Sequence, residues 1–509
     1  MKTATELSPR QVMSVTRISG LVLVNAMIFQ EILAEQNGDV LPLGKLIASE
    51  KDIIQGFGTH WQHIIDDINY YPIFYVAREI LLNIPANKDS HDAILRLVDS
   101  ARAIVANRAA LRHDLMGRIY HRLLADAKYL GTYYTSIPAA TLLMKLALQP
   151  QNWQIDWSDL TQLKQFRVAD LACGTGTLLM ATADAIADNY IHASASADKA
   201  IDVGALHQLL AEDVIYGFDV LISALHLTAS TLSMRVPHIT FKKMCLFSLP
   251  LGGKDKRLGS IEFLHSDSVQ LPMDFFGSAP VYVEVSPKGG KKTKIPVELP
   301  KVDLFSMNAP FVRSVGGNLL FGSLPATERA KAQERLKKLV RDTQASITAG
   351  LGSVFVATAD PHLKVGGRMA LVLPKALLSG VAWGKTRDLL SHHYRLEYII
   401  VSQDPKQWNF SESTKLSEAL VIVRKIHAGE KKTADQFVTC IGLWRNPQTA
   451  VEALAIAQQL LNETAQDCKR ARRVNSVRRK PKGRRSYPYR AECSARLPIM
   501  AVASEFCSN

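Results

Sequence analysis

The chain has 509 residues, of which 47% are hydrophobic and 21% charged, and carries a formal net charge of +14. That length corresponds to about two to four domains, and the composition excludes a disordered, fibrous or disulfide-dense secreted protein. The 6 cysteines form no CxxC pair, so neither a zinc ribbon nor a disulfide framework is signalled.

Taken in chain order, the first apolar run is Leu21 to Phe29, broken by Asn25. It is shorter than the roughly 20 apolar residues that span a bilayer. Glu6 and the pair Gln30-Glu31 do not suit a secretory leader. A buried helix, no membrane association and a cytoplasmic location are expected. Apolar residues then recur at spacings of three and four through Ile53-Ile54, Ile64-Ile65, Ile80-Leu81 and Ile94-Leu97-Val98. This predicts a helical N-terminal domain over residues 1–130, with a turn at Asn83 to Ser90. Near its end stand Asp114-Leu-Met-Gly-Arg-Ile-Tyr120 and Leu130-Gly-Thr-Tyr-Tyr-Thr-Ser136.

From about residue 165 short apolar runs alternate with helical stretches. The runs are Phe166–Leu171, Val214–Phe218, Ile261–His265, Val302–Met307, Met369–Leu373, Leu396–Val401 and Ala419–Val423. They predict an α/β fold, a Rossmann-like, mainly parallel sheet of about seven strands over residues 131–425. Val281–Val285 and Ile295–Leu299 flank a Gly-rich basic turn and predict an inserted hairpin. Residues 426–467 read as a short ordered extension, with Phe437–Ile441 as a strand and Ala450–Leu461 as a helix. Residues 468–509 read as a basic, disordered tail. Eleven Lys or Arg and no acid lie between Lys469 and Arg490, and without them the balance is +3. A polyanion partner is therefore implied by the tail more than by the core.

The densest local signal is Val168-Ala-Asp-Leu-Ala-Cys-Gly-Thr-Gly-Thr-Leu-Leu179. It predicts a strand ending at Asp170, a tight loop through Ala172, Gly174 and Gly176, and a helix from about Leu178. Glycines allow the sharp turn and a close ligand approach. A dinucleotide loop needs a third glycine where Leu179 stands, and the loop carries no cation for a pyrophosphate. It suits a zwitterion, with an ammonium near Asp170 and a carboxylate near backbone N–H groups. Asp219 ends the next expected strand, where a carboxylate can accept ribose hydroxyls. Asp267 follows the third, within reach of an adenine amine. Three acids in order after a glycine loop imply a nucleoside cofactor, S-adenosylmethionine rather than a dinucleotide. Gly380-Val-Ala-Trp-Gly-Lys-Thr386 is not a P-loop, having three residues between its glycines where four are needed.

The fourth expected strand ends Ser306-Met-Asn-Ala-Pro-Phe311. It resembles the Asn/Asp-Pro-Pro-Tyr/Phe motif of amino-methyltransferases. The Gly131-to-Thr135 stretch, Leu363–Pro374 and Phe410–Lys425 resemble segments of adenine-N6 DNA methyltransferases of type I and type IIG restriction-modification systems. The resemblance covers about residues 110–425. It implies an S-adenosylmethionine-dependent enzyme of restriction-modification or phage defence, acting on double-stranded DNA. Tyr134 and Thr135 would cover the methionine end of the cofactor. Asn308 and the carbonyl of Ala309 would accept hydrogen bonds from the target amine. Pro310 completes the loop, and Phe311 would stack on a base flipped from the duplex. Ala309 departs from the family's proline and implies either reduced activity or an inactive version. Recognition of a sequence would fall to a separate specificity subunit. A noncatalytic component binding S-adenosylmethionine or DNA, and a protein glutamine methyltransferase, are the alternatives.

Overall fold

The N-terminal spacing becomes a set of packed helices: α1 (Pro9–Ala34), α2 (Leu43–Ser49), α3 (Ile53–His63), α4 (Tyr71–Leu82), α5 (Lys88–Ala106) and α6 (Leu115–Leu123). The computed structural model describes residues 9–68, 70–107, 115–123, 134–236, 239, 241–253, 255–269, 297–312, 320–407, 409–412, 416–427, 429–430, 438–471 and 499–503. Side-chain caps fix two helix starts. Asp52 accepts from the N–H groups of Ile54 and Gln55, and Asn87 from that of Ser90, satisfying donors a helix start leaves open. The run from Leu21 to Phe29 proves to be the middle of a longer helix. Gln11–Ala34 is long and apolar enough to cross a membrane by length and composition, and within the fold the run Leu21–Phe29 is buried, as expected of a core helix. Within the fold its polar residues are met by other elements. Asn25 lies 3.0 Å from His226 Nε2 and accepts from Ser230 Oγ, and Gln30 accepts from Trp61 Nε1 and donates to the Leu41 carbonyl.

Eleven strands matter to the site: β1 (Tyr134–Thr135), β2 (Val168–Asp170), β3 (Ile215–Asp219), β4 (Cys245–Ser248), β5 (Val302–Asn308), β6 (Leu363–Pro374), β7 (Tyr394–Ser402), β8 (Ser411–Glu412), β9 (Glu418–Lys425), β10 (Thr439–Leu443) and β11 (Ile499–Ala503). Nine of them form one mixed sheet in the order β11-β10-β7-β9-β6-β5-β2-β3-β4. From β6 to β4 the neighbours are parallel, while β9 runs antiparallel between β6 and β7. A dinucleotide fold has the order 3-2-1-4-5-6, and the reversed strand sets this sheet apart. β1 and β8 pair antiparallel away from the main sheet.

Helices α7 (Ile137–Ala147), α8 (Thr177–Ser196) and α9 (Ile222–Ser233) continue the layer begun by α1 to α6. One continuous apolar core runs from Leu21 in α1 through Ile73, Leu142 and Leu179 to Leu304 and Ile400 in the sheet. The described helices up to Leu123 therefore share one core with the sheet. A second core, including Phe263, Phe305, Val354 and Trp383, fills the opposite face.

Three sequence expectations change. Ile261–His265 is not a strand but the end of a 3-10 turn, Gly259–His265. Ile261, Phe263 and Leu264 all enter one core, which strand alternation would not allow. The strand at that place is Cys245–Ser248, buried along its whole length. In the expected hairpin, Val297 pairs with Val269 and Glu298 with Ser268, and residues 281–296 lie outside those described. The tail assigned to 468–509 is entered by helix Ala450–Ala471, and its Ile499–Ala503 pairs with β10. The helix meets no Gly or Pro before Pro481 to oppose it, and an apolar run can join an open sheet edge. Residues 472–498 lie outside those described.

Asn25 is 1% exposed and bridges α1 to α9. Asn25→Ala leaves its buried partners short of bonds and is expected to lower stability by about 1–3 kcal/mol, read from urea denaturation midpoints.

Candidate functional site

The chain turns from β2 into α8 within six residues, and two carboxylates hold that turn. Asp170 Oδ1 accepts from the Ala172 N–H at 3.0 Å, and Asp219 Oδ2 from the Gly174 N–H at 2.9 Å. The Cys173 N–H donates to the Phe218 carbonyl, and Thr228 Oγ1 donates to the Gly174 carbonyl at 2.9 Å. Gly174 has φ +55° and Gly176 φ +83°, left-handed values that L side chains resist. A Cβ on Gly176 would stand 2.7 Å from Thr228 Cγ2, so this glycine is required by space as well as by conformation.

β5 lies beside β2, and the connection from β4 crosses to the other side of β2 to reach it. Such a switch point opens a crevice beyond the carboxyl ends of the strands. A cleft of ≈ 430 Å³ lies there, lined by His121, Tyr134, Thr135, Asp170, Ala172, Cys173, Gly174, Thr175, Thr177, Leu178, Asn308 and Pro310. The fold thus gathers seven expected residues, Tyr134, Thr135, Asp170, Ala172, Gly174, Asn308 and Pro310, from three distant parts of the chain. Ser136 caps α7, accepting from the Ala139 N–H.

Five expected residues stand elsewhere. Gly176 shapes the loop from behind as the cap of α8. Asp219 is 4% exposed, and its second oxygen accepts from the Leu221 N–H at 2.8 Å; it braces the loop and does not line the cleft. Asp267 is not brought to the site. Its side chain is 76% exposed beside Lys301 and His362, at the edge where β5 and β6 begin, because the segment before it is a turn rather than a sheet strand. Phe311 is buried in the first core at 4% exposure, so its ring is not presented for stacking. Ala309, at 1% exposure, packs into the second core.

The electrostatics are one-sided. Burial pushes the Asp170 carboxyl up to about 8, with the Ala172 N–H opposing and the Asp219 charge adding. Burial raises Asp219 to about 6 against its backbone N–H bonds. Among the described residues no Lys or Arg pairs with either acid. Burial drives His121 down to about 4, leaving a neutral ring whose Nδ1 is buried without a hydrogen-bond partner. Thr175 Oγ1 is likewise buried and unpartnered. Sequence reading missed His121, although it directly follows the quoted Asp114-to-Tyr120 segment, and Thr175, which lies between the two glycines. Opposite the acids, Asn308 Nδ2 donates to Thr135 Oγ1 at 2.8 Å and Ser411 Oγ at 3.1 Å. Its amide oxygen is thereby turned away from that pair of hydroxyls. Such a cleft can hold a cation beside buried carboxylates and offer a fixed amide acceptor to a second reactant. No group of three metal-ligating side chains occurs among the described residues.

No protein-family model matches the chain, and no curated protein matches it in sequence. Solved structures do resemble it in fold. The type IIG restriction endonuclease BpuSI superposes with a TM-score of 0.48 and 14% identity, over 89% of this chain and 42% of that one. DrdV, solved in complex with DNA, gives 0.46 and 13%, over 89% and 45%. The methyltransferase subunit of a type I restriction-modification system from Streptococcus thermophilus gives 0.44 and 14%, over 89% and 90%. The chain spans less than half the length of the first two. At these identities the functional reading rests on the geometry of the cleft.

Both raised carboxyls have a definite consequence for pH. The native state holds protons that the unfolded chain, titrating near 4, gives up, so native stability declines as pH rises from about 4 towards 8. Asp170→Asn keeps the acceptor for the Ala172 N–H and removes the charge. The ligand-free variant should melt at a higher temperature than the parent at pH 8, with the difference shrinking at pH 5. An equal or lower melting temperature at pH 8 would contradict the account.

Proposed function

We propose that this chain is an S-adenosylmethionine-dependent methyltransferase module that acts on the N6 amine of adenine in double-stranded DNA, in a restriction-modification or related phage-defence system. The observation that carries the reading is the cleft itself. Asp170, buried and without a basic partner among the described residues, shares the cleft with a tethered asparagine at the end of the neighbouring strand, while Asp219 braces the glycine loop behind it.

The residues present fit the cofactor. A ligand with an ammonium and a sulfonium supplies positive charge where Asp170 and Asp219 lack it, and its carboxylate can meet backbone N–H groups and the Thr175 hydroxyl. Tyr134, Thr135, Asp170, Ala172, Gly174 and the neutral His121 would hold it, with Gly176 and Asp219 keeping the loop in shape. When bound it supplies an electrophilic methyl group. The chain's own part is to make a poor nucleophile reactive. An exocyclic amine has its lone pair delocalised into the ring. The Asn308 amide oxygen and the Ala309 carbonyl would accept its two N–H bonds and favour a pyramidal nitrogen. Holding both reactants in one cleft contributes the larger share of the acceleration. Asp267 takes no part. Base stacking by Phe311 requires its ring to leave the core when the substrate enters. The buried Phe311 and the Ala309 substitution are the observations that favour the second reading, a noncatalytic component. The partners are double-stranded DNA and a separate recognition subunit.

Tritiated methyl transfer from S-adenosylmethionine to unmethylated duplex DNA tests this. The parent chain is expected to label adenine. Asn308→Ala should reduce labelling by about 100-fold or more while cofactor affinity by calorimetry changes little. Ala309→Pro should match or exceed the parent. Labelling by the proline form alone would support the noncatalytic reading, and no labelling by either form sinks the methyltransferase assignment. Label recovered in protein and not in DNA would move the substrate to a glutamine side chain.

A further inference from the structure

Asn308 is oriented from outside the loop that carries it. Its two hydrogen-bond acceptors, Thr135 and Ser411, are direct partners in the two-residue antiparallel pair of β1 and β8. Both acceptors are enclosed: Thr135 is 5% exposed and Ser411 1%. The pair is itself anchored. Glu418, at the start of β9 and 0% exposed, accepts through Oε2 from the N–H groups of Phe410 at 2.7 Å and Ser411 at 2.8 Å. The Phe410 carbonyl in turn accepts from the Ser136 N–H at 3.0 Å. No ion pair to Glu418 occurs among the described residues, and its Oε1 is buried without a hydrogen-bond partner. A buried carboxylate spent on two peptide N–H groups is a costly way to hold a turn. Arg118 of α6 also ties β8 down, at 3.0 Å from Glu412.

We propose that Ser411, seated by Glu418, is a positioning residue for Asn308, fixing the side-chain amide so that its oxygen faces the second reactant. This rests on the methyl-transfer reading above for its functional consequence, but not for its geometry. The arrangement answers the departure at Ala309. A proline there would limit φ and stiffen the loop. Here the loop lacks that ring, and the amide is gripped instead by two hydroxyls on a separate strand pair. Asn308 donates to both hydroxyls, and the Ser411 hydroxyl also bonds the Glu418 carboxyl, which leaves the serine oxygen as the acceptor for the Asn308 amide. Displacing a reacting group's partner by about 1 Å can cost on the order of 100-fold in rate, so a device that holds one amide has something to gain.

Two measurements on the full chain decide it. With selectively labelled asparagine, the Asn308 side-chain NH2 resonance, identified by its loss in Asn308→Ala, is expected to exchange slowly with water. Ser411→Ala should speed that exchange about 10-fold or more, and Ser411→Thr should restore it. In the methyl-transfer assay Ser411→Ala should lower kcat about 10-fold or more with the S-adenosylmethionine Kd within about twofold of the parent, as a positioning role requires. Glu418→Ala should follow Ser411→Ala, while Glu418→Gln, which keeps an acceptor for both N–H groups, should stay near the parent. Ser411→Ala removes no backbone contact, so the proposal stays testable if Glu418→Ala does not fold. Unchanged Asn308 exchange in Ser411→Ala overturns the proposal. Absence of transfer by the parent strikes the methyltransferase reading alone, and the exchange measurement still rules on Ser411.

Discussion

Between Asp170 and Thr177 the chain leaves one buried element and enters another, and its backbone polar groups there must find partners inside the protein. Asp170 and Asp219 supply them, taking the N–H groups of Ala172 and Gly174. Much of the surrounding architecture follows from that arrangement. β3 must lie beside β2 so that Asp219 reaches the loop. α9 must approach closely enough for Thr228 to bind the Gly174 carbonyl, and that approach leaves no room for a side chain on Gly176. The outcome is two buried acids with no Lys or Arg paired to either among the described residues. Burial holds both above their ordinary range. The loop is thus a strained electrostatic arrangement in the free protein and a receptive one for a cation.

The other half of the cleft is assembled over long stretches of sequence. His121 reaches over Gly174 from α6, and Tyr120 beside it bonds Ser223 of α9 at 2.9 Å. Thr135 precedes the glycine loop, Asn308 follows the crossover strand, and Ser411 and Glu418 come from the antiparallel return. This explains why the N-terminal helices share a core with the sheet. A helical layer that supplies a wall of the cleft has to be fixed relative to the strand ends. The buried polar residues of α1, bonded to α9 and to the loops around α2 and α3, serve that registration.

Much of this was legible in the sequence where the physics is local. Glycines at 174 and 176 announced a turn that only they can make, and the runs Phe166–Leu171, Val214–Phe218, Val302–Met307, Met369–Leu373, Leu396–Val401 and Ala419–Val423 each coincide with a strand. The order of those strands also located the crevice, since Asp170 and Asn308 were both expected at strand ends. Local pattern failed where an apolar run can satisfy more than one geometry. Ile261, Phe263 and Leu264 bury their side chains from a 3-10 turn, and Cys245–Ser248 gives no alternation because both its faces are covered. The misplaced strand then carried Asp267 to the wrong edge.

The sequence by itself determined the turn, the strand-end acids and the asparagine, because each depends on the chemistry of a few consecutive residues. Only the tertiary structure decided what those groups face. Phe311 looked like a stacking ring and is packed into the core, Asp219 looked like a ligand group and braces the loop, and Ser411 and Glu418 lay in a segment that gave neither of them a role. A side chain's partners are set by which distant elements pack beside it. Burial, which governs its charge and its availability, is likewise a property of the whole packing and not of the local sequence.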